Sequence, residues 1–504
     1  MYAKNTFVHN YSVKGSVVDW GGVILHKYHL LIVVSLLILV ILASNIAYSV
    51  SQSKPKDEVN AHTPVTSFKN KQLHVAVFQG GYGPEYWREI VEKFEAYYPG
   101  VQVNLTISPR IGDVIRAQII AGNPPDFLAI TDTEQSGIMN ALIKEKGLLN
   151  LTSLFEEDAL DQPKKIKDMI LPGLLESARF SPYEDENIYL APFNAAPMGL
   201  IYNKQLFEEK NWKLPESWDE FFALADELEK QENYVLNENG TLQKRTLFTY
   251  QGIYPEYLEE IVYPSIANVA GIEQLKKIFT YEPDSFHTPE VKKVLDILAK
   301  LGSEKYLLEG TFSLNHTQAQ REMMLGKALF IVNGSWMEHE MKDSPREEGF
   351  KFGMIPVPTF QKNDRQYILS SYEQFSIPLK AKNPELAKAF LKFLYTDESV
   401  KLFAEKSNGV FALKDAEELA KNYLSTGVYD MFNAFEGTTA IIQEWKVLPK
   451  DIKFDIDDYL YKHMVTPVLK GEQTTTDWMS YVEQAFAEIQ LSLDTQQYNS
   501  FHVD

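Results

Sequence analysis

The sequence predicts an α/β fold, and two features of residues 73–130 support this. Residues 73–79 and 101–107 alternate between apolar and polar side chains, and residues 126–130 form a short apolar run. These three patterns indicate β-strands. Between them, residues 85–98 and 113–121 have apolar side chains at helical spacing. The order strand, helix, strand, helix, strand is typical of a mainly parallel sheet covered by helices.

A second α/β segment is predicted from residue 188 onwards. The sequences IYLAPF and GLIYNK read as strands, and residues 215–230 as a helix with Ser217 as its N-cap. Residues 233–250 are polar and rich in turn formers, which indicates an inserted excursion. Further helices are predicted over 289–305 and 318–326, with strands at 327–332, in FGMIPVP and in FSIPL. Beyond residue 384 the pattern is mostly helical.

Composition and motifs exclude several classes of protein. The formal charge of -20 argues against a nucleic-acid partner, because binding to phosphate backbones needs clustered Lys and Arg. The absence of cysteine excludes disulfides, thiolate metal sites and cysteine nucleophiles. Zinc-protease, phosphate-loop, dinucleotide and serine-hydrolase motifs are also missing. We therefore predict no catalytic residues, no metal site and no cofactor.

The N-terminal region predicts a membrane anchor. Residues 30–50 are apolar and carry no charge, which suits a transmembrane helix. Lys14 and Lys27 outweigh Asp19 before this span, whereas the charges just after it balance. The positive-inside rule then places residues 1–29 in the cytoplasm, residues 51–72 as a linker and the large C-terminal body outside the cell. The alternative is a cleaved signal peptide, for which Ala47-Tyr48-Ser49 could serve as the cleavage site.

Four candidate ligand-binding residues follow predicted strands. Open α/β sheets bind ligands beyond the carboxyl ends of their strands. Tyr82 and Gly83 lie in the loop after the first strand, where backbone N–H groups and a phenol are available. Glu85 follows them, although a carboxylate there could simply stabilise a helix N-terminus. Asp132 follows the third strand, where its alternative role is to cap the next helix.

Motifs spread over residues 73–490 resemble a known family. They include FEAYYPGVQV, AGNPPDFLAI, IYLAPFNAAPMGLIYNKQLFEE, LPESWDEF, GKALFIVNGSW and PELAKAFLKFLYTDESVKLFAEKSNGVFA. In order and spacing they resemble the extracellular solute-binding proteins of ABC sugar importers, of the maltose-binding-protein type. The resemblance implies a two-lobed, periplasmic-binding-protein-like (type II) fold with a central ligand cleft. One lobe would comprise residues 73–182 and 366–411, and the other residues 183–365 and 412–504.

The resemblance also implies further site residues. Trp336 stands after a strand, in NGSW, where the family places a ring that stacks on sugar. Asn194 would lie at one crossover between the lobes, and Tyr372 and Glu373 at another. Trp445 could supply a second stacking ring. Ordinary packing is the alternative for each of these residues.

The function that the resemblance implies is capture of a mono- or oligosaccharide and its delivery to membrane permease subunits. The sequences GGYGPEYWREIVEKFE, TYQGIYPEYL and NGSWMEHEM look most like binding proteins for N-acetylglucosamine and the chitin disaccharide. We expect a monomer that binds no nucleic acid. Two alternatives stay open at this stage: a membrane-anchored sugar-sensing ectodomain and a carbohydrate-active enzyme.

Overall fold

The computed structural model of the chain describes residues 68–500, apart from 132, 133, 135, 184, 237–239, 451 and 453. The predicted membrane span, residues 30–50, and its flanking segments up to residue 67 lie outside the described residues. Among the helices of the described part, none is both long and apolar enough to cross a membrane.

The strands form two mixed sheets and one small hairpin. In chain order they are β1 (Gln72–Phe78), β2 (Gln102–Ser108), β3 (Phe127–Ala129), β4 (Ala191–Pro192), β5 (Ala196–Asn203), β6 (Tyr234–Leu236), β7 (Leu242–Lys244), β8 (Thr246–Thr249), β9 (Ala328–Gly334), β10 (Phe352–Ile355), β11 (Tyr367–Ser371), β12 (Gln374–Ser376) and β13 (Thr439–Ile441). The first sheet has the order β2-β1-β3-β12-β4, the second has the order β13-β11-β5-β9-β8 with β10 also on β5, and β6 pairs with β7.

Helices surround both sheets. The α-helices are α1 (Glu85–Tyr97), α2 (Ile111–Ile120), α3 (Ile138–Lys144), α4 (Thr152–Phe155), α5 (Ile166–Met169), α6 (Lys204–Lys210), α7 (Trp218–Leu228), α8 (Glu259–Ala270), α9 (Ile272–Phe279), α10 (Pro289–Leu301), α11 (His316–Met324), α12 (Met337–Glu340), α13 (Pro384–Leu394), α14 (Asp397–Ser407), α15 (Ala416–Ala420), α16 (Thr426–Phe432), α17 (Val465–Leu469) and α18 (Thr475–Ser500). Short 3₁₀ turns span Gln231–Asn233, Pro255–Leu258, Thr311–Ser313 and Asn433–Phe435, and Asp458–Lys462 is a π-helical turn.

Local sequence explains where several of these elements begin. The Ser217 hydroxyl accepts a hydrogen bond from the Glu220 N–H, which confirms the predicted cap of α7. Helix α10 begins with Pro289 after a Thr288 cap, because proline suits the first helical position. In α1 the buried side chains recur at helical spacing, so one face of the helix packs on the first sheet.

The second sheet is buried on both faces. Within β5 and β9, some neighbouring residues pack in two different apolar clusters, since neighbouring side chains in a strand point in opposite directions. Leu200 packs in one cluster and Ile201 in the other, and Phe330 and Ile331 divide in the same way. The cluster that contains Ile201 and Ile331 also holds the core of the first sheet and buried residues between 416 and 434.

The prediction of a mainly parallel sheet is confirmed for residues 73–130. It is wrong for the complete sheets, which also contain antiparallel strands. Strand β1 pairs in parallel with β2 and with β3, whereas β12 runs antiparallel to β3 and to β4. The antiparallel strands come from distant parts of the chain. Local alternation of strands and helices could not reveal such long-range pairing.

The chain passes between the sheets through short, closely packed segments. Residues 193–195 join β4 to β5, and residues 372–373 join β11 to β12. Residues 410–412 lie beside the first of these: the Ala195 N–H donates to the Val410 carbonyl over 3.0 Å, and the Ala412 N–H donates to the Phe193 carbonyl over 2.9 Å. These crossings are hydrogen-bonded to one another next to the cavity described below.

Candidate functional site

A cavity of about 750 Å³ opens where the two sheets meet. From the first sheet it is lined by the loops that follow the carboxyl ends of the three parallel strands β1, β2 and β3, as the rule for open sheets predicts. The second sheet contributes residues from β5, β11 and the segments after β8, β9 and β13. The lining residues of its two walls include Gly81, Tyr82, Gly83, Glu85, Arg110, Thr131, Glu134, Arg179, Met198, Tyr254, Glu256, Tyr257, Glu259, Glu260, His316, Trp336, His339, Glu340, Lys342, Ser370, Tyr372, Glu373 and Gln443.

Trp336 lies against both walls. It is the N-cap residue of the short helix α12 after β9, and its half-buried ring contacts both apolar clusters. A Cβ on Gly81 would lie 2.8 Å from the ring, and a Cβ on Gly334 would overlap it. Both positions therefore require glycine for the ring to occupy this place between the β1 loop and β9.

Tyr82 connects the β1 loop to the opposite wall. Its phenol interacts with the side chain of Ser335, and its ring packs 5.1 Å from that of Phe403. Burial raises the pKa of Tyr82, and the neighbouring Glu373 carboxylate adds to the rise. Gly83 has a φ of +67°, a conformation that glycine adopts without strain, and this lets the loop turn into α1.

Glu85 forms a second link across the cavity. Its carboxylate lies 3.4 Å from the Lys342 ammonium, and both side chains are about half exposed. Burial opposes its ionisation, but its own backbone N–H and Lys342 together lower the pKa of Glu85. Nearby, burial and the charge of Lys342 lower the pKa of His339. The position of Glu85 at the start of α1 is compatible with both roles considered for it, contact with a ligand and stabilisation of the helix N-terminus.

The crossover residues divide into lining and supporting side chains. Tyr372 and Glu373 line the cavity. Asn194 is buried behind them: its amide Nδ2 donates to Glu373 over 3.4 Å, and its Oδ1 accepts the Glu373 N–H over 3.0 Å. Asn194 therefore orients Glu373 from outside the cavity lining.

Trp445 is not among the lining residues. Trp445 packs away from the cavity, with its ring stacked 5.4 Å from that of Tyr281 and 4.9 Å from that of Phe279. Asp132 lies outside the described residues. The structure therefore brings together six of the predicted residues: Tyr82, Gly83, Glu85, Trp336, Tyr372 and Glu373.

The sequence analysis missed an acidic part of the second wall. Four carboxyl groups, from Glu256, Glu259, Glu260 and Glu340, line the cavity near the phenol of Tyr257. Burial raises the pKa of Tyr257, and the charges of these four groups raise it further. These four glutamates follow β8 and β9, and Arg110 follows β2. The rule that ligands bind beyond strand ends could therefore have identified all of them as candidates. Within the described part of the chain, no group of three or more His, Asp or Glu side chains could hold a metal ion.

Comparison with known proteins gives the family. The sequence profile of the bacterial extracellular solute-binding proteins matches residues 80–401, more than half of the chain. The chain belongs to this family. This match confirms the family resemblance that the sequence motifs indicated. The members of the family are extracellular solute-binding proteins.

Relatives of this solute-binding protein include two named for sugars. It is 25% identical over 405 residues to the diacetylchitobiose binding protein NgcE of Streptomyces coelicolor, covering 79% of this chain and 78% of NgcE. It is 24% identical over 337 residues to the multiple sugar-binding protein of Streptococcus mutans, covering 66% of this chain and 73% of the relative.

Solved structures share the fold of this solute-binding protein. The raffinose complex of the binding protein RafE superposes with a TM-score of 0.62 at 19% identity, covering 83% of this chain and all of that one. A chitin oligosaccharide binding protein gives a TM-score of 0.62 at 18% identity, covering 84% of this chain and all of that one. At these identities the similarity shows the α/β solute-binding fold, with its mixed sheets.

Proposed function

We propose that this protein is the substrate-capturing component of a carbohydrate ABC importer. It would bind a mono- or oligosaccharide in the cavity between the two sheets and deliver it to permease subunits in the membrane. The observation that carries this proposal is the Trp336 ring, which Gly81 and Gly334 hold at the cavity between the walls. An indole face suits the apolar C–H patches of a sugar ring, and the carboxyl groups around it suit its hydroxyls.

The size of the cavity and the names of the relatives support an oligosaccharide containing amino sugar. A volume of about 750 Å³ lies in the range typical of small-molecule sites. NgcE is named for diacetylchitobiose. N-acetylglucosamine and chitobiose are therefore the first sugars to test.

The remaining parts of the proposal concern organisation. The predicted lobes, residues 73–182 with 366–411 and residues 183–365 with 412–504, would close on the sugar by bending at the crossover segments. Residues 30–50 would anchor the monomer in the membrane with the body outside, as the charge asymmetry around that span suggests. The residues that would contact the sugar are Tyr82, Gly83, Glu85, Asp132, Trp336, Tyr372 and Glu373. Asn194 would orient Glu373. A contact between the sugar and Trp445 would require the segment that carries Trp445 to move.

Thermal unfolding of the purified full-length chain with a panel of sugars tests the proposal. A ligand that binds only the folded state stabilises it by about 2.7 kcal/mol when present at a hundred times its Kd. We expect an oligosaccharide to raise the melting temperature, and we expect chromatography to find the sugar unchanged after incubation. No shift with any sugar would contradict the proposal, and a hydrolysed product would favour an enzyme.

The variant Trp336→Ala tests the role of the ring. Because a buried aromatic ring at the centre of a site contributes strongly to binding, we expect calorimetry to show roughly tenfold weaker binding or worse. The matched control is Trp212→Ala, which removes a half-buried indole that packs on Phe207 outside the cavity. Equal affinities for both variants would remove Trp336 from the site.

A further inference from the structure

The side chain of Gln443 lines the cavity and carries an amide without a hydrogen-bond partner in the described part of the chain. It is half-buried and lies two residues after β13, the strand that pairs in parallel with β11. The amide Nε2 atom is enclosed by protein, whereas the Oε1 atom is not. An amide oxygen accepts hydrogen bonds. Oε1 of Gln443 is therefore an acceptor that a ligand in the cavity can reach.

The segment that carries Gln443 is held by apolar side chains on both sides. Residues 442–447 have no regular secondary structure, so the hydrogen bonds of the sheet do not fix their position. Ile442 and Val447 pack against the apolar cluster that holds the core of the first sheet, and Trp445 packs against the other cluster. The place of Gln443 at the cavity therefore depends on the side chains of its neighbours.

The ring of Trp445 is the largest of these anchoring side chains. It packs 4.9 Å from the ring of Phe279, the last residue of α9, and stacks 5.4 Å from that of Tyr281. A third ring, that of Tyr263 in α8, lies 6.4 Å away. Ring pairs of this kind stabilise an arrangement beyond the burial of apolar area. Because Gln443 lies only two residues before Trp445, a fixed ring restricts where the Gln443 amide can point.

We propose that Gln443 contacts the sugar, with Oε1 accepting a hydrogen bond from a sugar hydroxyl, and that Trp445 is a positioning residue that holds Gln443 at the cavity. This inference rests on the proposed function and adds two residues to the same site. Trp445 then acts on the sugar through Gln443, and its ring stays packed against Phe279 and Tyr281 when the sugar binds.

Calorimetry of the full-length chain with diacetylchitobiose, maltotriose and raffinose tests the role of Gln443. For each of these sugars that binds, we expect Gln443→Ala to weaken binding about fivefold, the effect of one neutral hydrogen bond. The matched control is Gln473→Ala, which removes the amide of an exposed glutamine in the loop before α18 and should leave the affinity unchanged. Equal affinities for the two variants would overturn the proposal.

A double-mutant cycle tests the positioning role of Trp445. Alone, Trp445→Ala should weaken binding about as much as Gln443→Ala, whereas Trp445→Phe should keep the affinity within about twofold because a phenyl ring can still pack in its place. Added to Gln443→Ala, Trp445→Ala should cause less than about a twofold further loss, because the residue that it positions is already absent.

The cycle separates positioning from a general structural role. If Trp445 supported the whole wall, Trp445→Ala would weaken binding equally with and without Gln443, and that result would overturn the proposal. If Trp445→Ala does not fold, Trp445→Leu takes its place in the same cycle.

The outcome also separates this inference from the proposed function. If a sugar binds with an affinity that does not depend on Gln443, the inference is overturned and the transport proposal stands. If no sugar binds at all, both are overturned.

Discussion

At the scale of single residues, the site depends on side chains that other residues hold in place. Trp336 can lie at the cavity because Gly81 and Gly334 leave room for its ring. Glu373 is oriented by two hydrogen bonds to the buried Asn194. Glu260 is the exception, because nothing in the described structure hydrogen-bonds its carboxyl group. Burial of this unpaired carboxyl group should lower the free energy of unfolding of the ligand-free protein, and this loss can be measured.

We predict that Glu260→Gln stabilises the ligand-free protein at neutral pH. The folded pKa of Glu260 is raised above its ordinary value of about 4.5, so above this pH the unfolded chain loses a proton that the folded chain keeps. Folding is therefore penalised as the pH rises, and glutamine removes this penalty.

The measurement is the free energy of unfolding by urea at several pH values. The gain of Glu260→Gln over the wild type should be present at pH 7 and should disappear as the pH falls through about 4.5. The control Glu273→Gln, which removes a charge from an exposed position on α9, should show no such gain. A gain that did not depend on pH would contradict the predicted titration of Glu260.

At the scale of elements, buried polar groups fix how strands and helices meet. The Asp126 carboxylate accepts the His74 N–H of β1 over 3.0 Å and the Asn383 N–H, at the start of α13, over 2.8 Å. Asn383 in turn donates its side-chain amide to the carbonyls of Asn70 and Gln72. This arrangement ties β1, β3 and α13 together at the end of the first sheet opposite the cavity.

We predict that Asp126→Asn lowers the free energy of unfolding by about 2 kcal/mol, because one carboxylate oxygen is replaced by an NH₂ group that faces a backbone N–H. Urea unfolding measures this loss. The control Asp226→Asn, which breaks an exposed ion pair with Lys305, should cost less than about 1 kcal/mol. Sugar affinity should be unchanged in Asp126→Asn, since Asp126 is not a cavity residue. A weakened affinity would show that this end of the sheet is coupled to the site.

At the scale of the whole molecule, contacts across the cavity join the two walls. They are the Trp336 ring against Gly81, the Tyr82 phenol with Ser335, and the Glu85–Lys342 ion pair. If the walls separate in the free protein, these contacts break on opening, so they contribute to the equilibrium between open and closed forms.

We predict that Lys342→Gln weakens sugar binding by less than about fivefold at low salt, because an exposed ion pair contributes at most about 1 kcal/mol. The effect should shrink at high salt as the exposed charges are screened. Calorimetry at two salt concentrations measures it. Lys388→Gln, which removes a charge paired with Glu385 on α13, should leave the affinity unchanged. A loss that did not depend on salt would contradict the role of the ion pair.

The sequence alone determined those features that depend on neighbouring residues. Strands β1, β2 and β3 and helix α1 were predictable because side-chain periodicity is a local property, and so was the Ser217 cap. The strand-end rule brought Tyr82, Gly83 and Glu85 to the cavity, and the family resemblance brought Trp336, Tyr372 and Glu373 to it.

Only the tertiary structure decided which distant segments meet. The antiparallel strands that make both sheets mixed, the carboxyl groups near Tyr257, and the packing of Trp445 against Tyr281 all join residues far apart in sequence. Their positions depend on burial and on long-range pairing, which side-chain periodicity does not encode. For the same reason Glu260, unremarkable in a chain with 69 acidic residues, stands out only when its carboxyl group is seen to be buried without a partner.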